Sequence, residues 1–242
     1  MRKLLRTNDP WVFSRTACLG NDLYRLLSLP MPRLNIQKGR ADELIRRHDA
    51  DDRSWISARY FTCLARPDIW PLVLEQELRW WMPRRPPEIV LMDSYSELTD
   101  QLFRDREESN SFCANFNDLK RSQTLLRNHG LLNIDVLPDL YTQFFSMVHE
   151  RWPHTPIVFI HFPTHREVRP KFLERADAIR DAVERIAMGD SRLISLKMED
   201  GQGVRHSSGN SDTDDPFPYH YDSGVYTYLL ELLRKTLSPL GV

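Results

Sequence analysis

The polar residues that follow the first apolar segment of this chain are of types that could carry out nucleophilic chemistry. Residues 11–13 (Trp-Val-Phe) predict a short strand, and the turn that follows contains Ser14, Cys18, Gly20 and Asn21. In a strand-to-helix turn, backbone N–H groups can face a ligand, and a nucleophile there gains from the helix dipole. We therefore take Ser14 and Cys18 as candidate nucleophiles, and Gly20 and Asn21 as candidate substrate-binding residues.

A histidine near the C-terminus could serve as the base for such a nucleophile. His220 lies in a polar segment before the last predicted helix, and Asp222 follows it closely. A histidine beside an acid on a loop is a typical general base, with Asp222 or Asp215 as the group that orients the ring. The catalytic set predicted from residue types is therefore Ser14 or Cys18 with His220 and Asp222.

The ends of two strongly apolar segments supply the remaining candidates. Asp93 and Ser94 follow the segment 89–92, and His161 follows the segment 157–160. We predict that these three residues contact substrate. His161 and His165 do not predict a metal site, because Pro163 between them disfavours the helix that would bring both rings to one face. We expect neither a metal nor a cofactor.

Each candidate also has a purely structural interpretation. Asn21 or Asp22 could be an ordinary helix N-cap, and His220 could lie on the surface beside an aspartate cap. Asp93 could cap the helix that follows it. Each of the three cysteines, Cys18 among them, could be a small buried apolar residue.

Short apolar segments alternate with helical periodicity along the chain, which predicts an α/β fold. Strands are predicted near residues 11–13, 55–58, 89–92, 157–160 and 193–196. One helix is predicted to begin at Leu23, and others span 72–81, 140–148 and 225–233. A further long helix is predicted after the strand 157–160, with a buried stripe formed by Phe172, Ala176, Ile179, Val183 and Ile186. Strands without inside/outside alternation are covered on both faces. The sequence therefore predicts a three-layer α/β/α sandwich around a mostly parallel five-stranded sheet.

The predicted sheet brings the candidate residues together. In open parallel sheets, ligands bind outside the carboxyl ends of the strands. We therefore expect the turn 14–21 and Asp93 to converge on one site, which the loop that carries His220 could join.

Composition restricts the class of protein further. The chain has 242 residues, of which 41% are hydrophobic. This length and composition predict one domain over 1–242, with long loops near 30–53 and 200–219. A formal net charge of -1 gives the chain no positive electrostatic field that would attract nucleic acid. No apolar segment is long enough for membrane insertion. With only three scattered cysteines and no apolar secretory leader, we expect a cytoplasmic protein. The oligomeric state stays open.

Several short motifs follow one another along the chain: Thr16-Ala17-Cys18 with Asp22-Leu23-Tyr24, Leu91-Met92-Asp93-Ser94-Tyr95, His161-Phe162-Pro163-Thr164 and Pro218-Tyr219-His220-Tyr221. In order and spacing, these motifs resemble the SGNH (GDSL-type) hydrolase superfamily, and most closely a bacterial branch associated with surface-polysaccharide gene clusters. The resemblance implies an SGNH/flavodoxin-like fold. It also implies an esterase or acyltransferase acting on a glycan or related ester, in polysaccharide biosynthesis, and it places His220 at the shared site.

Two departures from the family pattern keep a second function open. The position of the family's nucleophilic serine is Ala17, and Asp215 lies five residues before His220, where the family has a shorter Asp-x-x-His spacing. The alternative is a catalytically inactive, SGNH-fold carbohydrate-binding or assembly protein. Ala17 favours this alternative, whereas the retained His220 favours an enzyme with a small-molecule or glycan substrate.

Overall fold

The computed structural model describes residues 9–29, 31–50, 56–79, 81, 83, 85–107, 110–164, 167–198, 221 and 223–240. Its strands are β1 (Val12–Arg15), β2 (Arg33–Asn35), β3 (Ile89–Asp93), β4 (Asp100–Asp105), β5 (Ser111–Asn115), β6 (Leu126–Asn128), β7 (Ile157–Ile160) and β8 (Leu193–Leu196). Its helices are α1 (Cys18–Leu27), α2 (Ala41–Asp49), α3 (Trp70–Glu75), α4 (Tyr95–Thr99), α5 (Leu137–Arg151), α6 (Pro170–Ala187) and α7 (Ser223–Leu237).

The main sheet has five parallel strands in the order β2-β1-β3-β7-β8. This is the order of flavodoxin-like doubly wound sheets. Every residue of β1, β3 and β7 is buried, as expected for strands that are covered on both faces. The predicted three-layer α/β/α sandwich is confirmed.

The helices form the two outer layers of this sandwich. Helices α1 and α7 pack against each other, and α5 packs against both α2 and α6. In the predicted stripe of α6, Phe172, Ile179 and Val183 are buried, while Ala176 and Ile186 are half-buried against the same core. Among the described helices, none combines the length and the apolar character that a membrane span requires.

Two local predictions were wrong. No strand forms at the described part of 55–58, because the chain enters a 3-10 helix at Ala58–Cys63. The apolar Ile56 belongs instead to a second core outside the main sheet. The stretch 30–53 is not a plain loop, since it contains the edge strand β2 and helix α2. The predicted loop 200–219 lies outside the described residues.

A second, antiparallel sheet in the order β5-β4-β6 packs beside the main one and was not predicted. Apolar residues of this sheet and of the 3-10 helix Ala58–Cys63 form a separate core that includes Tyr60, Phe103 and Phe112. The edge strand β5 is bonded by side chains: Gln76 exchanges two hydrogen bonds with the backbone of Cys113, at 2.7 and 2.8 Å. We call this unit, residues 100–128, the small sheet.

Candidate active site at the carboxyl ends of the strands

The turn after β1 is held by a carboxylate from β3. The N–H of Ala17 donates a hydrogen bond to Asp93 Oδ2 at 2.7 Å, and α1 begins at the next residue, Cys18. Ala17 is the N-cap position and no side chain caps it, so Asn21 and Asp22 are not the N-cap of α1. The expected meeting of the turn 14–21 with Asp93 is therefore observed.

Asp93, the last residue of β3, is a buried carboxyl group. It is 2% exposed, and its Oδ1 accepts the N–H of Tyr95 at 3.1 Å, so it also begins α4. Burial raises the pKa of Asp93 from 3.8 to about 7, against the hydrogen bonds from Ala17 and Tyr95, which lower it. The group is therefore placed to change its charge near neutral pH.

We expect the Asp93→Asn variant to lose the pH dependence that this carboxyl gives the wild type. Because the folded protein holds the proton to a higher pH than the unfolded chain, the contribution of Asp93 to stability is fully present below pH 3.8 and is lost as the pH rises to about 7. Urea unfolding of both proteins across this range measures the difference. A constant difference between the two free energies of unfolding would contradict the raised pKa.

Ser14 lies beneath the turn and not in an open site. It is fully buried, and its Oγ donates to Asn35 Oδ1 at 2.8 Å. Asn35 Oδ1 also accepts the N–H of Thr16 at 3.2 Å. The Asn21 side chain donates to Gln37 Oε1 at 3.1 Å. This network fixes the turn to the loop after β2. Ser14 and Asn21 are thus placed to hold the turn in position.

Gly20 allows α1 to approach the rest of the turn closely. A Cβ atom at this position would lie 2.5 Å from the side chain of Thr16 and 3.1 Å from Asp93 Oδ2. A side chain would therefore displace Thr16 or the helix and would press against the carboxylate. The structure assigns Gly20 a packing role at the site.

Cys18 is the candidate nucleophile that reaches an open space. It is exposed, whereas Cys63 and Cys113 are buried, and it lines a cleft of about 700 Å³. The residue is exposed to the cleft, but its thiol is partly desolvated by the surrounding protein, and this desolvation together with the charges of Asp22 and Asp93 raises the pKa of Cys18 above its ordinary value. Without a base, the group is therefore a thiol at neutral pH.

The first turn of α1 offers backbone donors beside Cys18. The N–H of Ala17 is bonded to Asp93 and that of Asn21 to the Ala17 carbonyl, at 2.9 Å. The N–H groups of residues 18–20 have no partner within the helix, as at any helix start. They are the donors that could hold an oxyanion near the Cys18 sulfur.

The cleft lies between this turn, the small sheet and the start of α6. Two of the residues that line it, Gln37 and Lys38, follow β2. Others lie at the end of β5 and just beyond it, from Asn115 to Asp118. The start of α6 contributes Arg169, Lys171, Phe172 and Arg175. Lys38 Nζ lies 2.7 Å from Asp118 Oδ2 and 3.6 Å from Asp100 Oδ1. Burial alone lowers the pKa of Lys38, but the two carboxylates outweigh it and raise the pKa.

The sequence did not predict that the basic residues Lys38 and Arg175 line this cleft. Lys38 follows Leu34 and Ile36, whose alternation with polar residues was the one signal for a strand at this point. Arg175 lies on the predicted helix α6, but nothing in its local sequence indicates that it faces a cleft.

Ser94 and His161 are buried and are not among the residues that line the cleft. The hydroxyl of Ser94 accepts the N–H of Phe162 at 3.1 Å. His161 Nε2 lies 2.9 Å from Ser195 Oγ, and burial lowers the pKa of this histidine to about 3, so the ring is neutral. Neither residue contacts the cleft as predicted for substrate binding.

His220 and Asp222 lie outside the described residues. Tyr221, between them, is buried, and its hydroxyl donates to the carbonyl of Pro163 at 3.0 Å, in the turn after β7. Tyr226 on α7 lies 3.2 Å from Asp22 Oδ2 through its hydroxyl. Helix α7 is thus bonded to α1 near the candidate site. Within the described part of the chain, no group of three or more His, Cys, Asp or Glu residues could hold a metal ion.

Comparison with known proteins gives structural likenesses only. No family model matches the chain, and no curated protein matches it in sequence. The salicylyl-acyltransferase SsfX3 from a tetracycline biosynthetic pathway is similar with 13% identity and a TM-score of 0.46, over 98% of this chain and 56% of its own. The acetyl xylan esterase Est2A from the rumen bacterium Butyrivibrio proteoclasticus is similar with 9% identity and a TM-score of 0.42, over 96% and 65%.

A third similar structure is a carbohydrate esterase family 2 enzyme with a carbohydrate-binding domain from Corynascus thermopiles (Myceliophthora fergusii). It has 11% identity and a TM-score of 0.43, over 97% of this chain and 67% of its own. The chain thus spans little more than half the length of the acyltransferase and about two thirds of each of these two esterases.

Proposed function

We propose that this protein is an SGNH-like esterase or acyltransferase in which Cys18 is the nucleophile. The observation that carries the proposal is the position of Cys18. It is an exposed thiol at the first residue of α1, at the carboxyl end of the sheet, and it opens on a large cleft. Parallel sheets of this order bind their ligands at this edge.

The proposed reaction is a two-step acyl transfer. The base, for which we propose His220 with Asp222 or Asp215, takes the proton of the Cys18 thiol. The sulfur then attacks the ester carbonyl, while the N–H groups of residues 18–20 hold the developing oxyanion. The alcohol leaves with the proton from the base, and water or a second hydroxyl group then takes the acyl group from the thioester.

A glycan ester, such as one made in polysaccharide biosynthesis, suits the polar part of the cleft. Gln37, Gln101, Asn115 and Asn117 line it with amide side chains, which can both donate to and accept from sugar hydroxyls. We place the reaction in the cytoplasm, where the three free cysteines stay reduced.

A non-catalytic binding protein is the second candidate, and two observations favour it. Ala17 has no hydroxyl where the resembling family has its serine, and its N–H is bonded to Asp93. The raised pKa of Cys18 also leaves little thiolate at neutral pH without a base.

Thiol labelling and turnover together distinguish the two functions. We expect iodoacetamide to label Cys18 in the folded protein, and a short-chain aryl ester to leave an acyl group on Cys18 that peptide mapping detects. The Cys18→Ala variant should lose turnover by at least roughly a thousandfold. Cys63→Ala, which changes a cysteine outside the cleft, is the matched control. Equal turnover in wild type and Cys18→Ala would exclude Cys18 as the nucleophile.

A further inference from the structure

We propose that the cleft beside Cys18 binds an organic anion, in which a phosphate or carboxylate group contacts Arg175 and Lys171 and an apolar moiety contacts Phe116 and Leu131. As a statement about the substrate, this inference rests on the proposed function. Binding of the anion itself is measured without turnover.

Cations dominate the charged side chains of the cleft. Five basic residues and one acidic residue line it: Lys38, Arg66, Arg169, Lys171, Arg175 and Asp118. The chain as a whole carries a net charge of -1, so this imbalance is local. A concave surface with an excess of one charge concentrates ligands of the opposite charge.

Three of the five cations already have carboxylate partners. Lys38 is paired with Asp118, Arg66 with Asp68 at 2.7 Å, and Arg169 with Glu167 at 2.6 Å. These pairs fix the shape of the cleft wall, but they leave little charge for a ligand.

The other two cations, Arg175 and Lys171, lie on the first turns of α6 and form no ion pair with any carboxylate of the described residues. The Arg175 guanidinium donates through Nη1 to the carbonyls of Leu132 and Glu97, at 2.5 and 3.3 Å. It is half-buried, and burial together with the charge of Arg40 lowers its pKa. A half-buried guanidinium that is bonded only to carbonyls favours an anion as its remaining partner, because the planar group binds phosphate and carboxylate through two parallel bonds.

An apolar surface adjoins these cations in the same cleft. Phe116 and Leu131 are 46% and 41% exposed there, and Ile69, Leu72, Leu98 and Phe172 complete the apolar lining. Exposed apolar side chains in a cleft with a few fixed polar groups are typical of a small-molecule site. The ligand that matches both parts carries its negative charge on a compact group next to an aromatic or aliphatic one.

Calorimetric titration of the full chain with four probes tests this assignment. We expect phenyl phosphate or benzoate to bind more tightly than inorganic phosphate and more tightly than uncharged benzyl alcohol, since only the first two offer both features. The stronger of these two identifies the anionic group. Affinity should fall with added salt, as it does for a charge-assisted contact open to solvent.

Matched variants locate the contacts. Lys171→Gln and Arg175→Gln should each raise the Kd of the better probe about tenfold, and Phe116→Ala several-fold. Two control variants should leave the Kd unchanged. Arg185→Gln changes an exposed cation of the same helix that lies outside the cleft. Leu125→Ala changes a leucine that is as exposed as Leu131 but also lies outside the cleft. Lys171→Gln keeps the test decisive if Arg175→Gln fails to fold.

Equal binding of benzyl alcohol and the anions, or equal loss in the Arg185→Gln control, would overturn the anion site. If the wild-type protein binds the anions but Cys18 receives no acyl group from the aryl ester, the proposed function alone would be overturned. The two failures are therefore distinguishable.

Discussion

Replacing Glu97 with alanine is expected to lower the free energy of unfolding by about 3–5 kcal/mol, because it would leave the Arg15 guanidinium buried and uncompensated. Both side chains have no exposed surface, and Arg15 donates to the two Glu97 oxygens at 2.5 and 2.7 Å. Glu97 also accepts the N–H of Ala41 at 2.9 Å and the hydroxyl of Tyr141 at 3.2 Å. Urea unfolding at neutral pH measures the loss.

An exposed ion pair provides the control for this variant. Asp177 and Arg180 are paired on the surface of α6 at 2.7 Å, and Asp177→Ala should cost no more than about 0.5 kcal/mol. The double variant Arg15→Met, Glu97→Leu should be more stable than Glu97→Ala, since it removes the unpaired charge. If Glu97→Ala were no more destabilising than Asp177→Ala, the ion pair would not be buried as described.

Replacing Ile179 with alanine is expected to cost about 2–5 kcal/mol of stability. Ile179 has no exposed surface and lies in the main core, on the face of α6 that covers the sheet. The cost combines the lost transfer of the side chain from water with the cavity that remains. Chemical denaturation of both proteins measures it.

A methionine just beyond the same helix is the control for Ile179. Met188 is 84% exposed, so Met188→Ala should change stability by less than about 0.5 kcal/mol. A loss below about 1 kcal/mol for Ile179→Ala would place this face of the helix in solvent.

The strands in the middle of the main sheet could be predicted from sequence because burial on both faces makes them apolar throughout. Residues 89–92 of β3 and Ile157–Ile160 are such segments. The edge strand β2 could not, since only Leu34 of its three residues is buried. Ile56 misled the prediction because its burial comes from a second core, formed with residues distant in sequence.

The small sheet escaped prediction because its strands carry polar residues whose partners are distant. Asp100 and Asp105 are the ends of β4, and both are buried. The Tyr60 hydroxyl donates to Asp105 at 2.7 Å, and Lys38 lies near Asp100. Local patterns cannot show such pairings, so a buried aspartate looks like a turn residue in the sequence.

Part of the candidate site was predictable from topology. The rule that ligands bind at the carboxyl ends of parallel strands selected Cys18 and Asp93, and the two residues do lie at one edge. It could not separate Ser14 from Cys18, because which side chain is buried depends on the packing of β2 against the turn. The roles of these residues in catalysis stay predictions, as do those of His220 and Asp222.

The side-chain bonding of β5 bears on how copies of this chain behave at high concentration. An edge strand normally exposes a row of backbone groups that can pair with a strand of another molecule. Here Gln76 takes both backbone groups of Cys113, Arg47 donates to the carbonyl of Ser111 at 2.7 Å, and Asp118 accepts the N–H of Asn115 at 2.9 Å. Intermolecular strand addition at this edge would have to break these bonds first, which protects the β5 edge of the small sheet against aggregation.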